Sequence, residues 1–290
     1  SKKPSLGDKG PSYVQAWTAA QLAPQVALGL PWPINEFLHL VPLPPFLVSS
    51  QYNKVYDFFF AHGQEPLEAA VQRFGLEKEE ACHNLLFFVC FNTWGGIQIL
   101  FPSIVQRIGE AGLSLQKDLA AEVRQAVGAD DGVITMAALQ KMELVHATVY
   151  EALRTDPPVP FQYGRARADM VVESHDSAFR VKKGELLASY QGIAMRDPKV
   201  FSSPDSFQPH RFMGPQGKKL LDSLTWSNGA ETQTPSTENK QCAGKDFVNL
   251  VARLFVANLF LRYDFFKLQQ TSAGGTATPI KFSALKKRKQ

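Results

Sequence analysis

The stretch that decides the fold of this chain is Asn239-Lys240-Gln241-Cys242-Ala243-Gly244-Lys245-Asp246, because it delivers a cysteine to the start of a long amphipathic segment. From Phe247 to Leu261 apolar residues recur at spacings of three and four, which predicts a helix with one buried face. Cys242 is therefore predicted at the N-terminus of this helix, where free backbone amides and the helix dipole favour a thiolate. A thiolate can bind a metal or act as a nucleophile. A lone cysteine is nevertheless more often a small buried apolar residue, so both interpretations stay open.

Two neighbours of Cys242 point to a bound group. Gly244 has no side chain and leaves room for something flat and bulky against the first helical turn. Lys240 offers a cation to an anionic partner, although a solvated loop lysine is the alternative interpretation. The pattern therefore predicts a binding site built from Cys242, Lys240 and Gly244.

Composition limits the classes of function. The chain has 290 residues, 44% of them hydrophobic, with 21 Phe, which is enough for one large domain spanning 1–290. The net charge of +4 comes partly from the tail Lys286-Lys287-Arg288-Lys289, so nucleic-acid binding has little support. Three cysteines do not make a disulfide framework, which favours a reducing compartment.

Neither a signal peptide nor a membrane anchor is indicated. No uninterrupted apolar run approaches the roughly 18 residues of a membrane span. The first residues are polar and do not begin with Met, so we expect the interior of a longer protein or a processed start.

Hydrophobic periodicity predicts a mainly α fold with a small β-sheet. Short strand-like runs surround residues 170–172, 179–181 and 186–187, and weak strands end the chain. Helices are predicted over 13–30, Tyr52–Ala61, Pro66–Phe74, Glu77–Gly112, Ser114–Val127, Met136–Thr155 and Phe247–Leu261.

The long candidate helix has an unusual centre. Leu85–Phe91 is apolar all round, which predicts passage through a core. The polar and flexible run Asn92-Thr93-Trp94-Gly95-Gly96 then interrupts it, and each glycine in a helix costs on the order of 1 kcal/mol relative to alanine. Such a local cost often marks a site where a ligand approaches the backbone.

A second constellation gives the cysteine a context. Glu151 and Arg154 are spaced three apart on one predicted helix, and Arg211 follows in the run Pro209-His210-Arg211-Phe212. Each element alone is common, but their order before Cys242 resembles the C-terminal half of the haem-thiolate cytochrome P450 superfamily. That resemblance implies that Glu151, Arg154 and Arg211 form a buried triad bracing the cysteine loop.

Two departures from the usual superfamily pattern narrow the resemblance. A long connector separates Trp226-Ser227-Asn228-Gly229 from the cysteine, and Asn92-Thr93 stands where an acid–threonine pair is usual. Both departures resemble a plant branch, the allene oxide synthases and hydroperoxide lyases, from near residue 10 to the end of the chain. The stretches that carry this likeness are Cys82–Leu86, Tyr163–Ala166, Asn239–Val248 and Leu250–Phe255.

The resemblance implies haem b as the cofactor, with Cys242 as the axial ligand of its iron. Lys240 matches a position that contacts a haem propionate, and Gly244 lies beside the porphyrin. Asn92 matches the catalytic asparagine that orients the hydroperoxide; its alternative is a polar plug in the helix break. Thr93 is a second candidate, although a helical threonine can equally bond its own backbone. Substrate is expected along two segments, Val159-Pro160-Phe161 and Gly274–Thr278, with a simple turn as the alternative for each.

The activity implied is dehydration of a fatty acid hydroperoxide, of the 13-hydroperoxy linolenate type, to an allene oxide in oxylipin and jasmonate biosynthesis. Because the substrate already contains an O–O bond, neither dioxygen nor NADPH nor a reductase is needed. Plastid location follows from the family, and association with a plastid membrane surface is left open. Two alternatives remain: a lyase that cleaves the same substrates to aldehydes, and a non-catalytic haem- or lipid-binding remnant. The N-terminal part of the family pattern is expected to be missing.

Overall fold

The computed structural model describes residues 7–20, 31, 33–34, 44–236, 241–269 and 280–288, with the backbone alone for residues 92–94. The described chain is mainly helical with small antiparallel sheets, which confirms the predicted fold class. It divides into two compact units, Ser1–Gly95 and Gly96–Gln290. The prediction that 1–290 forms a single domain stays a prediction.

The first unit is a small group of helices. Its apolar contacts form two clusters, one around Trp17, Val55 and Leu86 and another around Leu67, Ala81 and Cys82. The helices predicted over 52–61 and 66–74 are confirmed. The elements are a 3₁₀ turn at Gly7–Lys9, α1 at Gly10–Ala20, α2 at Phe46–His62, α3 at Gln64–Phe74, α4 at Lys78–Leu86 and a π-helical segment at Phe87–Trp94.

The long predicted helix is present as α4, the π-helical segment and α5 (Gly95–Ala111) in direct succession. Its predicted passage through a core is wrong for the aromatic stretch, where Phe87, Phe88 and Phe91 are 53%, 48% and 50% exposed. An all-apolar helix is buried only where neighbours surround it, and the described residues leave these rings open. By length and composition alone the run Lys78–Ala111 could cross a membrane, a criterion that the core helix of a soluble protein also meets.

The second unit contains the main hydrophobic core. Residues Leu144 to Thr155 are buried almost without interruption, apart from His146, so their helix forms the centre of the unit. The predicted helix over 136–155 is in fact two helices, because Met142 leaves the helical region at φ −95 and ψ 74. The helices are α5, α6 at Leu113–Gly128, α7 at Met136–Gln140, α8 at Glu143–Thr155, α9 at Gln191–Ala194, α10 at Gly214–Leu220 and α11 at Lys245–Arg262, with 3₁₀ turns at Pro209–Phe212 and Leu221–Ser223.

The strands form four two-stranded antiparallel sheets within the described residues. The strands predicted near 170, 179 and 186 are confirmed, and the pairing of Phe161 with Tyr190 adds a strand directly after α8. The pairs are β1 (Phe161–Arg165) with β4 (Leu186–Tyr190), β2 (Met170–Ser174) with β3 (Ser177–Val181), β5 (Thr225–Trp226) with β6 (Gly229–Ala230), and β7 (Tyr263–Leu268) with β8 (Phe282–Lys287).

A carboxylate from a neighbouring helix fixes the start of α8. Glu122 on α6 accepts hydrogen bonds from the backbone amides of Leu144 at 2.7 Å and Val145 at 2.9 Å. These amides have no partner inside their own helix, and a negative charge at a helix N-terminus is favourable. Burial raises the pKa of Glu122 despite these bonds. The contact holds α8 in register with α6, and α8 in turn carries the residues that position the candidate site.

Candidate functional site

The backbone on both sides of Cys242 is held in place. The Cys242 amide donates to the carbonyl of Trp226 at 3.2 Å, and its carbonyl accepts from the Lys245 amide at 3.2 Å. The preceding Gln241 pairs with Ser227 in an isolated β-bridge. Helix α11 begins at Lys245 with Gly244 as its N-cap, so Cys242 lies just before the helix, close to where the sequence predicts it.

The sulfur of Cys242 is free and only partly buried. A Cβ added at Gly244 would lie 3.8 Å from this sulfur and 3.7 Å from a methyl carbon of Val248. The glycine therefore leaves the space next to the sulfur unfilled. A thiol in that position, unpaired and reachable, fits the role of a metal-binding thiolate and suits a bulky planar group beside the first turn. The predicted contact of Lys240 lies outside the described residues.

A buried ionic network joins α8 to the 3₁₀ turn at Pro209–Phe212. Glu151 accepts from Arg154 through both oxygens, at 2.8 and 2.9 Å, and both side chains are fully buried. Arg211 donates to the same carboxylate at 3.1 Å and is only 7% exposed. The triad expected from the sequence is thus confirmed by its geometry.

The same network joins several segments of the second unit. The backbone amide of Gln208 donates to Glu151 at 2.8 Å, and Arg154 donates to the carbonyl of Met195 at 2.8 Å. Arg211 donates to the carbonyl of Ser202 at 2.7 Å. Buried charges are costly unless they are paired and hydrogen-bonded, and here every guanidinium nitrogen and both carboxylate oxygens have a hydrogen-bond partner. The network therefore fixes α8 against the chain that runs toward the cysteine loop.

A second attachment, which the sequence reasoning missed, starts from the residue next to Glu151. The hydroxyl of Tyr150 donates to Glu231 at 2.8 Å, and Glu231 lies in the connector between β6 and the cysteine. Lys245 then donates to the carbonyl of Glu231 at 2.7 Å. The side chains of Glu231 and Lys245 are 10% and 13% exposed. The available signal was slight: a tyrosine directly before the buried glutamate, and one of the two acids in a Gly/Thr/Ser/Pro-rich connector.

Burial is the largest influence on the pKa values of Glu231 and Tyr150. It raises the pKa of Glu231, against the opposing effect of the hydrogen bond from Tyr150 and the charge of Lys245. It also raises the pKa of Tyr150, and the nearby charge of Glu231 acts in the same direction. Nearby, burial and the charge of Arg253 lower the pKa of His146 to about 4, which leaves this histidine neutral near pH 7. The side of α8 facing the cysteine connector is therefore polar but tightly packed.

A cavity of about 360 Å³ opens between α5, the end of α8 and β4. Its lining includes Pro160, from the segment predicted to contact substrate, and Tyr190. Asp156 and Arg107 meet at its wall through bonds of 2.6 and 2.7 Å. Burial alone would raise the pKa of Asp156, but the Arg107 bonds hold it below its usual value. The other predicted substrate segment, 274–278, lies outside the described residues.

The helix break predicted at Asn92 and Thr93 coincides with the π-helical segment Phe87–Trp94. A π-helical turn inserted between α-helical ones is uncommon and often occurs at functional sites. The structure describes only the backbone of residues 92–94, so the contacts of the Asn92 and Thr93 side chains lie outside what it describes. A Cβ added at Gly95 or Gly96 would meet no described atom within 4 Å.

Comparison with known proteins agrees with this geometry. The family model described as cytochrome P450 matches residues 113–288. The chain is 51% identical over 279 residues to the chloroplastic allene oxide synthase of Arabidopsis thaliana, covering 96% of this chain and 53% of the relative. It is 52% identical over 268 residues to allene oxide synthase 2 of rice, Oryza sativa subsp. japonica, covering 92% of this chain and 56% of the relative.

A related activity is also represented among the relatives. The chain is 46% identical over 268 residues to a divinyl ether synthase of Nicotiana tabacum, covering 92% of this chain and 56% of the relative. The chain spans about half the length of the curated relatives it matches. Because the family model covers more than half of the chain, and the buried Glu–Arg–Arg triad and the cysteine before α11 match the expected pattern, the chain belongs to the cytochrome P450 family.

Proposed function

We propose that this chain belongs to an allene oxide synthase, which dehydrates a fatty acid hydroperoxide to an allene oxide without dioxygen or NADPH. The observation that carries the proposal is the free, partly exposed sulfur of Cys242 before α11, in a chain about half identical to several allene oxide synthases. Support from the sequence comes from Asn92-Thr93, which stands in place of the acid–threonine pair that serves dioxygen activation.

Cys242 is the proposed axial ligand. Membership of the cytochrome P450 family implies haem b bound through a cysteine thiolate, and Cys242 is the free cysteine that lies just before α11 and bonds to Trp226 through its backbone. Gly244 leaves room for the porphyrin beside the sulfur. Lys240, two residues before the cysteine, is proposed to pair with a haem propionate.

The haem supplies, when bound, the iron chemistry that splits the O–O bond, with electron density from the thiolate. The remaining work falls to the chain. Asn92 is proposed to orient the hydroperoxide through its amide, which can donate and accept hydrogen bonds without carrying charge. Thr93 is proposed as a neighbouring hydroxyl that assists this orientation. An uncharged pair of this kind holds a substrate but is poorly suited to relaying protons to dioxygen.

Three alternative functions can be distinguished from the synthase by the products, if any, that they form from the same substrate. A hydroperoxide lyase would take the same substrate to short aldehydes. A divinyl ether synthase would dehydrate it to a divinyl ether instead, and one relative bears that name. A non-catalytic protein would bind haem or lipid without turnover. We favour the synthase because three allene oxide synthases are 50–52% identical to this chain, whereas the divinyl ether synthase is 46% identical.

The proposed substrate class is an 18-carbon hydroperoxide of the 13-hydroperoxy linolenate type, and no reductase partner is proposed. The proposed location is the plastid, on the strength of relatives whose names include "chloroplastic". Contact with a plastid membrane surface is compatible with the apolar rings of Phe87, Phe88 and Phe91, which are exposed among the described residues.

The test is to give the haem-loaded protein the 13-hydroperoxide of linolenic acid without NADPH and to identify products by mass spectrometry. An allene oxide, trapped as its hydrolysis product, supports the proposal. Short aldehydes, divinyl ethers or no turnover would each replace it with the corresponding alternative.

The role of Cys242 has its own test. A Cys242→Ser variant is expected to lose the thiolate-type spectrum of the ferrous–CO complex, because an alcohol does not supply the thiolate ligand. Cys82→Ala is the matched control, since Cys82 is buried in the first unit. A thiolate-type spectrum that survives in Cys242→Ser would refute the assignment.

A further inference from the structure

Two adjacent residues of α8 contact two different parts of the molecule. Neighbouring residues on an α-helix point about 100° apart, because the helix has 3.6 residues per turn. Glu151 points to the arginine network, whereas Tyr150 points to the connector that leads to the cysteine. The Tyr150 contact therefore reaches the cysteine loop by a route separate from the Glu–Arg–Arg triad.

Glu231 is the centre of this second route. One oxygen of its carboxylate accepts from the Tyr150 hydroxyl at 2.8 Å, and its backbone carbonyl accepts from Lys245 at 2.7 Å. The ammonium of Lys245 is also 4.0 Å from the same carboxylate oxygen. Through these contacts one residue links α8, the connector and the first residue of α11.

The link also reaches the backbone of Cys242. The Lys245 amide donates to the carbonyl of Cys242, so the same lysine touches the cysteine through its backbone and Glu231 through its side chain. On the other side of the cysteine, the side-chain amide of Gln241 donates to the carbonyl of Ala230, which is next to Glu231. The described residues that flank Cys242, Gln241 and Lys245, are thereby tied to the adjacent residues Ala230 and Glu231.

The charges of Glu231 and Lys245 depend on each other. Both side chains are nearly buried, and an unpaired charge in such a place is costly. Lys245 also lies 3.5 Å from the carboxylate of Asp246, but that side chain is 91% exposed, so water screens the contact. Neutralising Glu231 would leave the lysine without a buried counter-charge and would weaken the contact with Tyr150.

We propose that Glu231, held by Tyr150 and Lys245, is a positioning residue that fixes the Cys242 sulfur for ligation. This inference rests on the proposed role of Cys242 as the haem ligand. Glu231 does not touch the reacting atoms; it acts through the backbone of the loop. Its loss lets the sulfur leave its ligating position more easily.

The experiment measures the ferrous–CO spectrum of the haem-loaded protein across pH, and the midpoint at which the thiolate-type form converts to the thiol-type form. Glu231→Gln and Tyr150→Phe are each expected to raise this midpoint by about one pH unit, a tenfold change that corresponds to one hydrogen bond to a charged group. The double variant is expected to come close to the stronger single variant, because the charge-assisted Tyr150–Glu231 bond is already lost in either one.

Asp246→Asn is the matched control, because Asp246 also contacts Lys245 but is exposed and has no tie to α8. Its midpoint is expected to stay at the wild-type value. If Glu231 had a merely structural role, its replacement would lower the unfolding temperature but would leave the pH midpoint, measured on the folded protein, unchanged. That result would overturn the proposal. An equal shift of the midpoint in Asp246→Asn would also overturn the proposal, because the loss of any nearby negative charge would then produce the effect.

The outcome is separable from the proposed function. If Glu231→Gln keeps the wild-type midpoint while the wild-type protein turns over hydroperoxide, the positioning role fails and the synthase stands. If Cys242→Ser keeps the thiolate-type spectrum, the ligand assignment fails first. The Tyr150→Phe variant keeps the experiment decisive if Glu231→Gln does not fold, because it removes one hydroxyl and leaves the ring packing against Phe212 intact.

Discussion

Replacing Glu151 by glutamine tests whether the buried triad holds the second unit together. The carboxylate accepts four hydrogen bonds, two from Arg154, one from Arg211 and one from the amide of Gln208. One of its oxygens accepts three of the four, so the amide nitrogen of a glutamine would have to take the place of the other oxygen. There it would face the Nε–H of Arg154, donor against donor.

The expected loss of stability is large for a change that removes no volume. Glu151 and Arg154 are both 0% exposed, so water cannot replace the missing charge. Breaking a buried ion pair from one side typically costs about 3–5 kcal/mol, and we expect Glu151→Gln to lie in this range. Urea unfolding followed by circular dichroism gives the free energy by linear extrapolation, provided that the slope against urea is unchanged.

Asp176→Asn is the matched control for this measurement. Asp176 lies 3.8 Å from Lys199, and the two side chains are 86% and 57% exposed. An exposed pair of this kind contributes at most about 1 kcal/mol, so the control is expected to unfold close to the wild-type urea concentration. If Glu151→Gln lost no more than the control, the triad would not stabilise the fold and the reasoning from burial would be refuted.

Two further predictions concern stability. Burial and the charge of Arg253 depress the pKa of His146 to about 4 from 6.5, so the unfolded chain binds more protons between these values and stability falls as pH drops through this window. The fall is about 3 kcal/mol at most, and His146→Leu, but not the exposed His62→Leu, should flatten it in urea unfolding measured from pH 4 to 7; an unchanged slope would contradict the assignment. Gly217→Ala should destabilise by about 1–3 kcal/mol because the new methyl would overlap the backbone of Phe212, whereas Gly128→Ala, with no described atom within 4 Å, should stabilise by up to about 1 kcal/mol in thermal unfolding; equal effects at the two glycines would rule out the steric explanation.

Periodicity was sufficient to predict the helices that bury one face. The segment 247–261 became α11 within two residues at its start and one at its end, and 114–127 became α6. The break between α7 and α8 was not predictable in the same way, because Met142 is fully buried although its backbone is not helical. The spacing of apolar residues indicates which residues are buried. It cannot indicate the end of a helix at a residue that is buried in either case.

The candidate site was predictable where its partners are close in sequence or follow a known order. Glu151 and Arg154 are three apart on one helix, and the order of Glu151, Arg211 and Cys242 carried the family resemblance. The contact of Tyr150 with Glu231 joins residues 81 apart, and no periodicity connects them. Such a contact is created by tertiary packing, when the connector folds back over α8.

The aromatic stretch of the long helix shows a different limit. Phe87, Phe88 and Phe91 lie in a segment that is apolar on all sides, which predicts burial, yet about half of each side chain is exposed within the described residues. An apolar composition predicts that the side chains of a helix are buried, but it does not identify the residues that bury them. The chain spans about half the length of its relatives, so the sequence could predict the apolar character of this helix and not its surroundings.

The arrangement around α8 fixes the first part of the long connector that precedes the cysteine, at Glu231. A longer connector costs little extra closure entropy, since that cost grows only slowly with loop length. What a long connector lacks is a fixed path, and the contacts of Glu231 supply one by attaching it to α8 and α11. The triad positions α8 itself through Glu151, one residue away from Tyr150. A single buried helix thus bears both attachments, so the placement of the sulfur depends on the register of α8, which Glu122 fixes at its N-terminus.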